Sequence, residues 1–507
     1  MLVGERMADR ITNAYEHQLQ AAYYHIGNRG ICVNTDRIAE AQAIVSAEIH
    51  RHLAIASQQW SCKVFIGAEN NPPEDRIKGS DFSGAVNLNA TQGKYRLLDK
   101  LKALGYTVPK VSAKNDDGEW ESKESTNELV LRKILQTNQF GYPGGDPAVK
   151  AILKVREYSK LKESYLDALL FKRDGLWLWL SNYNVAGTTS GRRSCRKHTF
   201  GYGGNSQTFP KHSDIAHIAR RCYTARPGNV LLMVDQISAE DWPVSALSEN
   251  HKALAELRAG VDRHTKLASE LFNLPIASKT PKEWKESMER YLGKKTRHAT
   301  NYDERAGMMS ESLIKEGFFY PVPQCQVLLD RMGVLDPNVK GIFHKWVKEQ
   351  ISKKHMLTTP FGRERQFLSA RPNDENSSVF KEAYAYIPQS VIGDNTGFTV
   401  LKLESNYPIQ ERSIVQEGHD SIVQDVRADV ETVYKYLLRT AGAFVRSISF
   451  HNGISVEIPI EGELGFDLNT TVKIKEFSLV GVKEALDRLK EEVHQQEVAS
   501  GKVMEIA

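Results

Sequence analysis

The sequence has no CxxC pair. Its five cysteines (Cys32, Cys62, Cys195, Cys222 and Cys325) are odd in number and far apart. That spacing excludes zinc ribbons and redox dithiols and predicts free thiols in a reducing compartment. A long apolar run is also missing, so nothing reads as a membrane span. The N-terminus, MLVGERMADRITNAYEHQ, carries charges where a signal peptide needs an apolar core. A soluble protein of the cytoplasm, or of a host's cytoplasm, is the expectation. Charge of one sign is scarce: net charge is +4 over 507 residues. Any basic surface must come from local placement. Internal repeats and low-complexity tracts are absent. With 41% hydrophobic and 26% charged residues, wholesale disorder is excluded too.

What is present is mostly helical periodicity. Residues from Thr12 to about Trp60 read as helix, broken at GNRGICVNTD, where Asn34-Thr35-Asp36 offers capping chemistry. NLNATQGKYRLLDKLKALG reads as a capped amphipathic helix ending on Gly105. KVSAKNDDGEWESKESTNE is polar and reads as a loop. DPAVKAILKVREYSKLKESYLDALLF is a long, lysine-bearing helix. After Asp174 the texture turns to Gly, Ser, Asn and aromatics. An apolar strand follows, Val230 to Val234, then helical patterns to about Lys354. TPFGRERQF punctuates, and IPQSVIGDNTGFTVLKLE is helical or mixed. RSIVQEGHDSIVQDV and SISFHNGISVEIP read as strand-turn-strand units. The predicted class is α+β, with helix-rich parts around an antiparallel sheet.

The apolar run LLMV stops on Asp235, with Glu240 five residues on. A buried strand gains nothing from a terminal acid, because desolvating a charge is costly without a compensating cation. Either the strand reaches water there or something positive sits at its tip. Asp420 follows Gly418-His419, a tight turn between two strands. A hairpin tip and a strand end can meet on one sheet, and two divalent cations would relieve the repulsion of converging carboxylates. Read as a helix, GKKTRHATNYDERAGMM puts Lys294, His298, Tyr302 and roughly Arg305 on one face. That face could bind a triphosphate and stack a base, or be a solvated basic surface. His264 stands near the start of another helix.

In order and combination these segments resemble the A-family, DNA polymerase I-like, DNA polymerases. VDQISAEDW is similar to the family's D-Y-S-Q-I-E-L-R, which puts the metal-binding Asp at Asp235 and the ribose-checking Glu at Glu240. KKTRHATNYDERAG is similar to the fingers motif R-R-x-x-K-x-x-N-F-G-x-x-Y-G, and EGHDSIVQDV to V-H-D-E, with the second metal ligand at Asp420. KLKESYLDAL, TSGRRSC, GGNSQTFP, DRHTKLASELF and TTPFGRERQFL follow in the family's order, and RGICVNTD and NLNATQ match its thumb-entry segments. The likeness runs from about residue 15 to the C-terminus, which predicts a polymerase module without a 3′–5′ exonuclease domain, as in a phage.

The resemblance implies a right-hand polymerase. Its parts are an N-terminal segment on the palm (1–37), a thumb (38–164), a palm in two parts (165–250 and 370–507) and fingers (251–369). It implies template-directed addition of dNTPs to a primer on primer-template DNA, with two Mg²⁺ ions (Mn²⁺ able to substitute) on Asp235, Asp420 and the Gln236 carbonyl. Lys294, His298 and His264 would face phosphates, and Tyr302 the incoming nucleotide. Arg192, Gln207, Gln389 and His419 would contact DNA. A processivity factor stays open, as do two alternatives: a single-subunit RNA polymerase-like enzyme and a non-catalytic nucleic-acid-binding relic. The departures fall in the fingers and in the palm. The helix Lys is His298, whose charge depends on pH. The Phe is Tyr302, and the Tyr-Gly pair is Ala306-Gly307. Trp242 takes the place of the Arg after the checking Glu, and Ser421 follows Asp420 where many members have Glu. Asp429-Val430-Glu431 has the form of an exonuclease triplet but reads as a solvated helical face. SFHNGISVE carries Asn452 where the last motif needs a carboxylate.

Overall fold

The structure, a computed structural model, describes residues 11–67, 85–90, 95–114, 120–211, 213–370 and 378–499. The chain forms two compact units. The larger joins Met1–Ile38, Ala168–Glu304 and Val327–Ala507; the smaller joins Ala39–Asp167 and Arg305–Gln326. Among the described residues no helix is long and apolar enough to cross a membrane.

The larger unit is built on a five-stranded antiparallel sheet. Its strands are β1 (Asn229–Gln236), β2 (Ile414–Glu417), β3 (Ser421–Arg427), β4 (Ile460–Gly465) and β5 (Thr471–Ile474), in the spatial order β2-β3-β1-β4-β5. The central β1 runs on past the expected Val234 and takes Asp235 and Gln236 into the ladder. Strand alternation sends Val230, Leu232 and Val234 into the main core and leaves Leu231, Met233 and Asp235 on the opposite face. Seven helices position the site: α1 (Asn13–Arg29), α2 (Asp241–Leu247), α3 (Arg263–Phe272), α4 (Met288–Asn301), α5 (Ser378–Ser405), α6 (Val430–Phe444) and α7 (Leu479–Ala499). α6 and α7 cover the sheet, and α5 packs on α1 and α6. A second sheet aligns Tyr223–Thr224, Ile31–Val33, Leu176–Trp179 and Phe171–Arg173. None of the five cysteines is in a disulfide.

The Thr12–Trp60 pattern is helical as expected. α1 closes on Gly30, whose φ of 65° suits glycine. The next helix, Thr35–Gln59, takes its cap from Asn34, whose Oδ1 accepts from the Arg37 amide at 3.0 Å. The smaller unit packs Trp60, Leu101, Val130, Ile134, Val149 and Ile152 into its own core.

Several expectations need correction. The polar stretch read as a loop is a hairpin, Lys110–Lys114 against Trp120–Glu124; residues 115–119 lie outside the described residues. The helix expected over NLNATQGKYRLLDKLKALG occupies only Leu97–Ala103. Val86–Asn87 is instead a strand parallel to Val64–Phe65, and residues 91–94 of this stretch are outside the description. α4 ends at Asn301. Tyr302 is its C-cap residue and Asp303 is left-handed at φ 54°, so Arg305 lies beyond the helix, not on its face.

Candidate active site

Asp235 stands opposite Ser421 of β3 and Glu461 of β4. The hairpin between β2 and β3 turns through Gly418, His419 and Asp420. The Gly418 amide donates to the Ser421 carbonyl at 2.8 Å, and His419 adopts φ 72°. A Cβ on Gly418 would crowd the Ser421 hydroxyl at 2.6 Å. The Gln236 amide donates to the Asp420 carbonyl at 3.1 Å, which ties the end of β1 to the hairpin tip. The expected meeting of Asp235 and Asp420 therefore exists. Its scaffold includes the Gln236 side chain, which donates to Thr396 Oγ1 (3.1 Å) and accepts from Asn395 Nδ2 (2.7 Å), both on α5.

The electrostatics of the pair are those of an uncompensated anionic site. Burial, then the charge of Asp420, raises the Asp235 carboxyl well above the usual range; Lys211 opposes the shift. Burial also raises Asp420. Asp235 Oδ1 is buried and has no hydrogen-bond partner. Hard oxygen donors, mutual repulsion and an orphaned oxygen fit a divalent cation such as Mg²⁺. Among the described residues no group of three or more His, Cys, Asp or Glu converges on one point. The donor set thus comes down to the two carboxylates with main-chain and solvent oxygens.

A second cluster surrounds Glu240, in the turn between β1 and α2. Its Oε1 accepts from Arg192 Nη2 at 2.7 Å. Its Oε2 accepts from the Tyr302 hydroxyl at 2.8 Å and lies 3.4 Å from His298 Nε2. The His298 and Tyr302 rings meet edge to face at 4.9 Å. Burial alone would raise this carboxyl, but the His298 hydrogen bond and the Arg192 charge outweigh it and hold Glu240 at about 2. Asp241 is buried beside it against Arg297 and Arg263.

Gln207 and His419 also come together. Glu417 accepts from Gln207 Nε2 at 2.8 Å and from the His419 amide at 2.7 Å. His264, on α3, has its imidazole pKa lowered by burial, with the charge of Asp241 opposing; Lys294 is exposed on α4, the helix packed on α3. Gln389 is half-buried on α5, one turn before Gly393. Sequence reasoning missed Asp241, Arg297, Glu417 and Lys211. Each lies within three residues of a singled-out position or segment, yet nothing in the local pattern marks it. The Asp429 triplet caps α6, where Asp429 accepts from the Thr432 amide and Glu431 is exposed, as a solvated helix start should be. Asn452 is spent on the Ala246 carbonyl at 2.9 Å.

The architecture is the expected α+β one, and it is shared with a solved polymerase domain. The POL domain of Pol1 from M. smegmatis, in complex with DNA primer-template and dNTP, matches at a TM-score of 0.67 and 17% identity, over 90% of this chain and 70% of that one. The family model of DNA polymerase family A matches residues 80–466, and the chain belongs to this family. Among similar proteins, the thermostable DNA polymerase I of Thermus aquaticus is 24% identical over 83% of this chain and 44% of its own length. That of Thermus filiformis is 25% identical over 77% and 43%. The DNA polymerase of Bacillus phage SP01 is 22% identical over 87% and 48%. The chain thus spans less than half the length of the curated relatives it matches.

Proposed function

We propose that the chain is a template-directed DNA polymerase that adds dNTPs to a primer 3′-hydroxyl on primer-template DNA. The observation that carries this is the convergence of Asp235 and Asp420 on one sheet face, with Asp235 Oδ1 lacking any protein partner. Asp235, Asp420 and the Gln236 carbonyl would hold two Mg²⁺ ions. Bound there, the ions supply Lewis acidity toward the primer hydroxyl and the phosphoryl oxygens. The chain's own groups position and select. Glu240, ionised at any working pH and held by three donors, crowds the place of a 2′-hydroxyl. Lys294 and His298 face the triphosphate. His264, its imidazole pKa lowered by burial, offers phosphate a hydrogen bond more than a charge. Arg192, Gln207, His419 and Gln389 line the DNA path. The thumb (38–164), palm (165–250 and 370–507) and fingers (251–369) are the working parts under this reading. It also places the protein in the cytoplasm, a host's if phage-encoded.

Primer extension with Mg²⁺ and dNTPs tests the reading. Asp235→Ala and Asp420→Ala should each lower extension by on the order of 10³-fold or more while DNA binding stays measurable. Extension at near wild-type rates by either variant would refute it. The same assay with rNTPs should be strongly disfavoured for the wild type.

A further inference from the structure

Glu240 sits where little of its own backbone holds it. It precedes α2 without a side-chain cap bond, two residues after Ser238 at φ 51°. Its neighbour is fixed firmly. Asp241 is 5% exposed and accepts from Arg297 Nε at 3.1 Å, with Arg263 Nε 3.8 Å away. Arg297, 1% exposed, also pairs with Asp336, which is itself buried. Glu240 and the first residue of α2 therefore meet two consecutive residues of α4: Asp241 meets Arg297, and Glu240 meets His298. Neighbouring helical side chains diverge by about 100°. Contacts to both fix the turn in rotation as well as in position.

A purely stabilising role explains this poorly. Buried ion pairs are often matched or bettered by apolar residues of similar volume. The family patterns D-Y-S-Q-I-E-L-R and R-R-x-x-K-x-x-N-F-G-x-x-Y-G have Leu at the place of Asp241 and leave the place of Arg297 open. This chain thus puts a desolvated, geometrically demanding pair where an apolar contact would serve stability. A guanidinium fork fixes orientation in a way a greasy contact does not.

We propose that Arg297, acting through Asp241, is a positioning residue that sets the discrimination between deoxyribo- and ribonucleoside triphosphates at Glu240. The inference rests on the sugar-checking reading of Glu240, and the test separates the two. The readout is the ratio of kcat/KM for a dNTP to that for the matching rNTP. Glu240→Ala should lower this ratio; no change would overturn the sugar-checking reading itself. Asp241→Leu/Arg297→Met/Asp336→Asn removes the charges of the Asp241–Arg297–Asp336 network together, so that no carboxylate is stranded, and leaves Arg263 its Glu256 partner. It should lower the ratio by roughly ten-fold, the scale of a small misplacement. Adding Glu240→Ala to it should give no more than Glu240→Ala alone. If Glu240→Ala lowers the ratio and the apolar variant, melting cooperatively, leaves it unchanged, the positioning role is wrong. Should the apolar variant not fold, Arg297→Lys decides on the same ratio. It keeps the charge and loses the fork, so a drop supports the role and an unchanged ratio overturns it.

Discussion

Glu417 shows how one buried carboxyl ties the proposed DNA-binding surface to stability. It is fully buried, and both its oxygens are committed, to Gln207 and to the His419 amide. Burial raises its pKa to about 7, with the Arg193 charge opposing. The folded state therefore keeps a proton that the unfolded chain gives up near pH 4.5. The contribution to stability is complete below that pH and is lost as pH rises toward 7. The loss amounts to as much as about 3 kcal/mol. Glu417→Gln carries a permanent neutral amide, and the Gln207 amide can flip to accept from it. We expect urea titrations to show the variant gaining on the wild type steadily from pH 4.5 to 7 and levelling off above. A wild-type-minus-variant difference that does not change with pH would show that Glu417 ionises in the fold as it does in the open chain.

At the scale of elements, α5 shows what a buried helix demands of its sequence. Arg193 Nη1 donates to the Gly393 carbonyl at 2.6 Å, and Nη2 donates to the Tyr15 hydroxyl at 3.0 Å. A Cβ on Gly397 would overlap both the guanidinium and that hydroxyl. Glycine inside a helix costs about 0.5–1 kcal/mol relative to alanine, so its use here reflects close approach. Gly397→Ala should still destabilise, by about 1–3 kcal/mol in urea unfolding, because overpacking outweighs propensity. A more stable variant would mean that Arg193 has room to move. The same helix shows why local reading stops short. Asp394, Asn395, Thr396 and Thr399 are all buried, so the apolar periodicity that identifies surface helices is absent, and VIGDNTGFTV read as helical or mixed. Around it, α1 follows its helical pattern with one face in solvent, α4 follows its own as far as Asn301, and the β2-β3 hairpin, almost wholly buried, was legible through its Gly418-His419 turn. The Lys110–Glu124 hairpin was not, because its strands are short and mostly polar in sequence, and loop and strand then share a composition.

Across the whole molecule, Asp235 stood out because it ends an apolar run, and Asp420 because it follows a Gly-His turn between two strands. Their common place on the sheet came from recognising an ordered set of motifs, not from either segment alone. The supporting charges were illegible, since the Arg297–Asp241 and Gln207–Glu417 contacts join residues 56 and 210 apart in sequence. Under the proposed function those contacts bear on DNA binding. Arg192, Arg263, Arg297 and Arg363 are all paired with carboxylates inside the larger unit. With a net charge of only +4, attraction for the phosphates of the proposed DNA partner depends on where exposed cations stand. The lysine-bearing helix Pro147–Leu161 presents Lys150 and Lys160 to solvent, while its apolar side enters the core of the smaller unit. Each phosphate neutralised on duplex DNA contributes about −0.9 to the slope of log affinity against log salt. Lys150→Ala/Lys160→Ala should therefore weaken binding to unrelated primer-templates alike and make the slope shallower by roughly two. Titrations at several salt concentrations read both effects. Weaker binding with an unaltered slope would mean that the helix acts on DNA indirectly, and an unaltered affinity would remove it from the grip altogether.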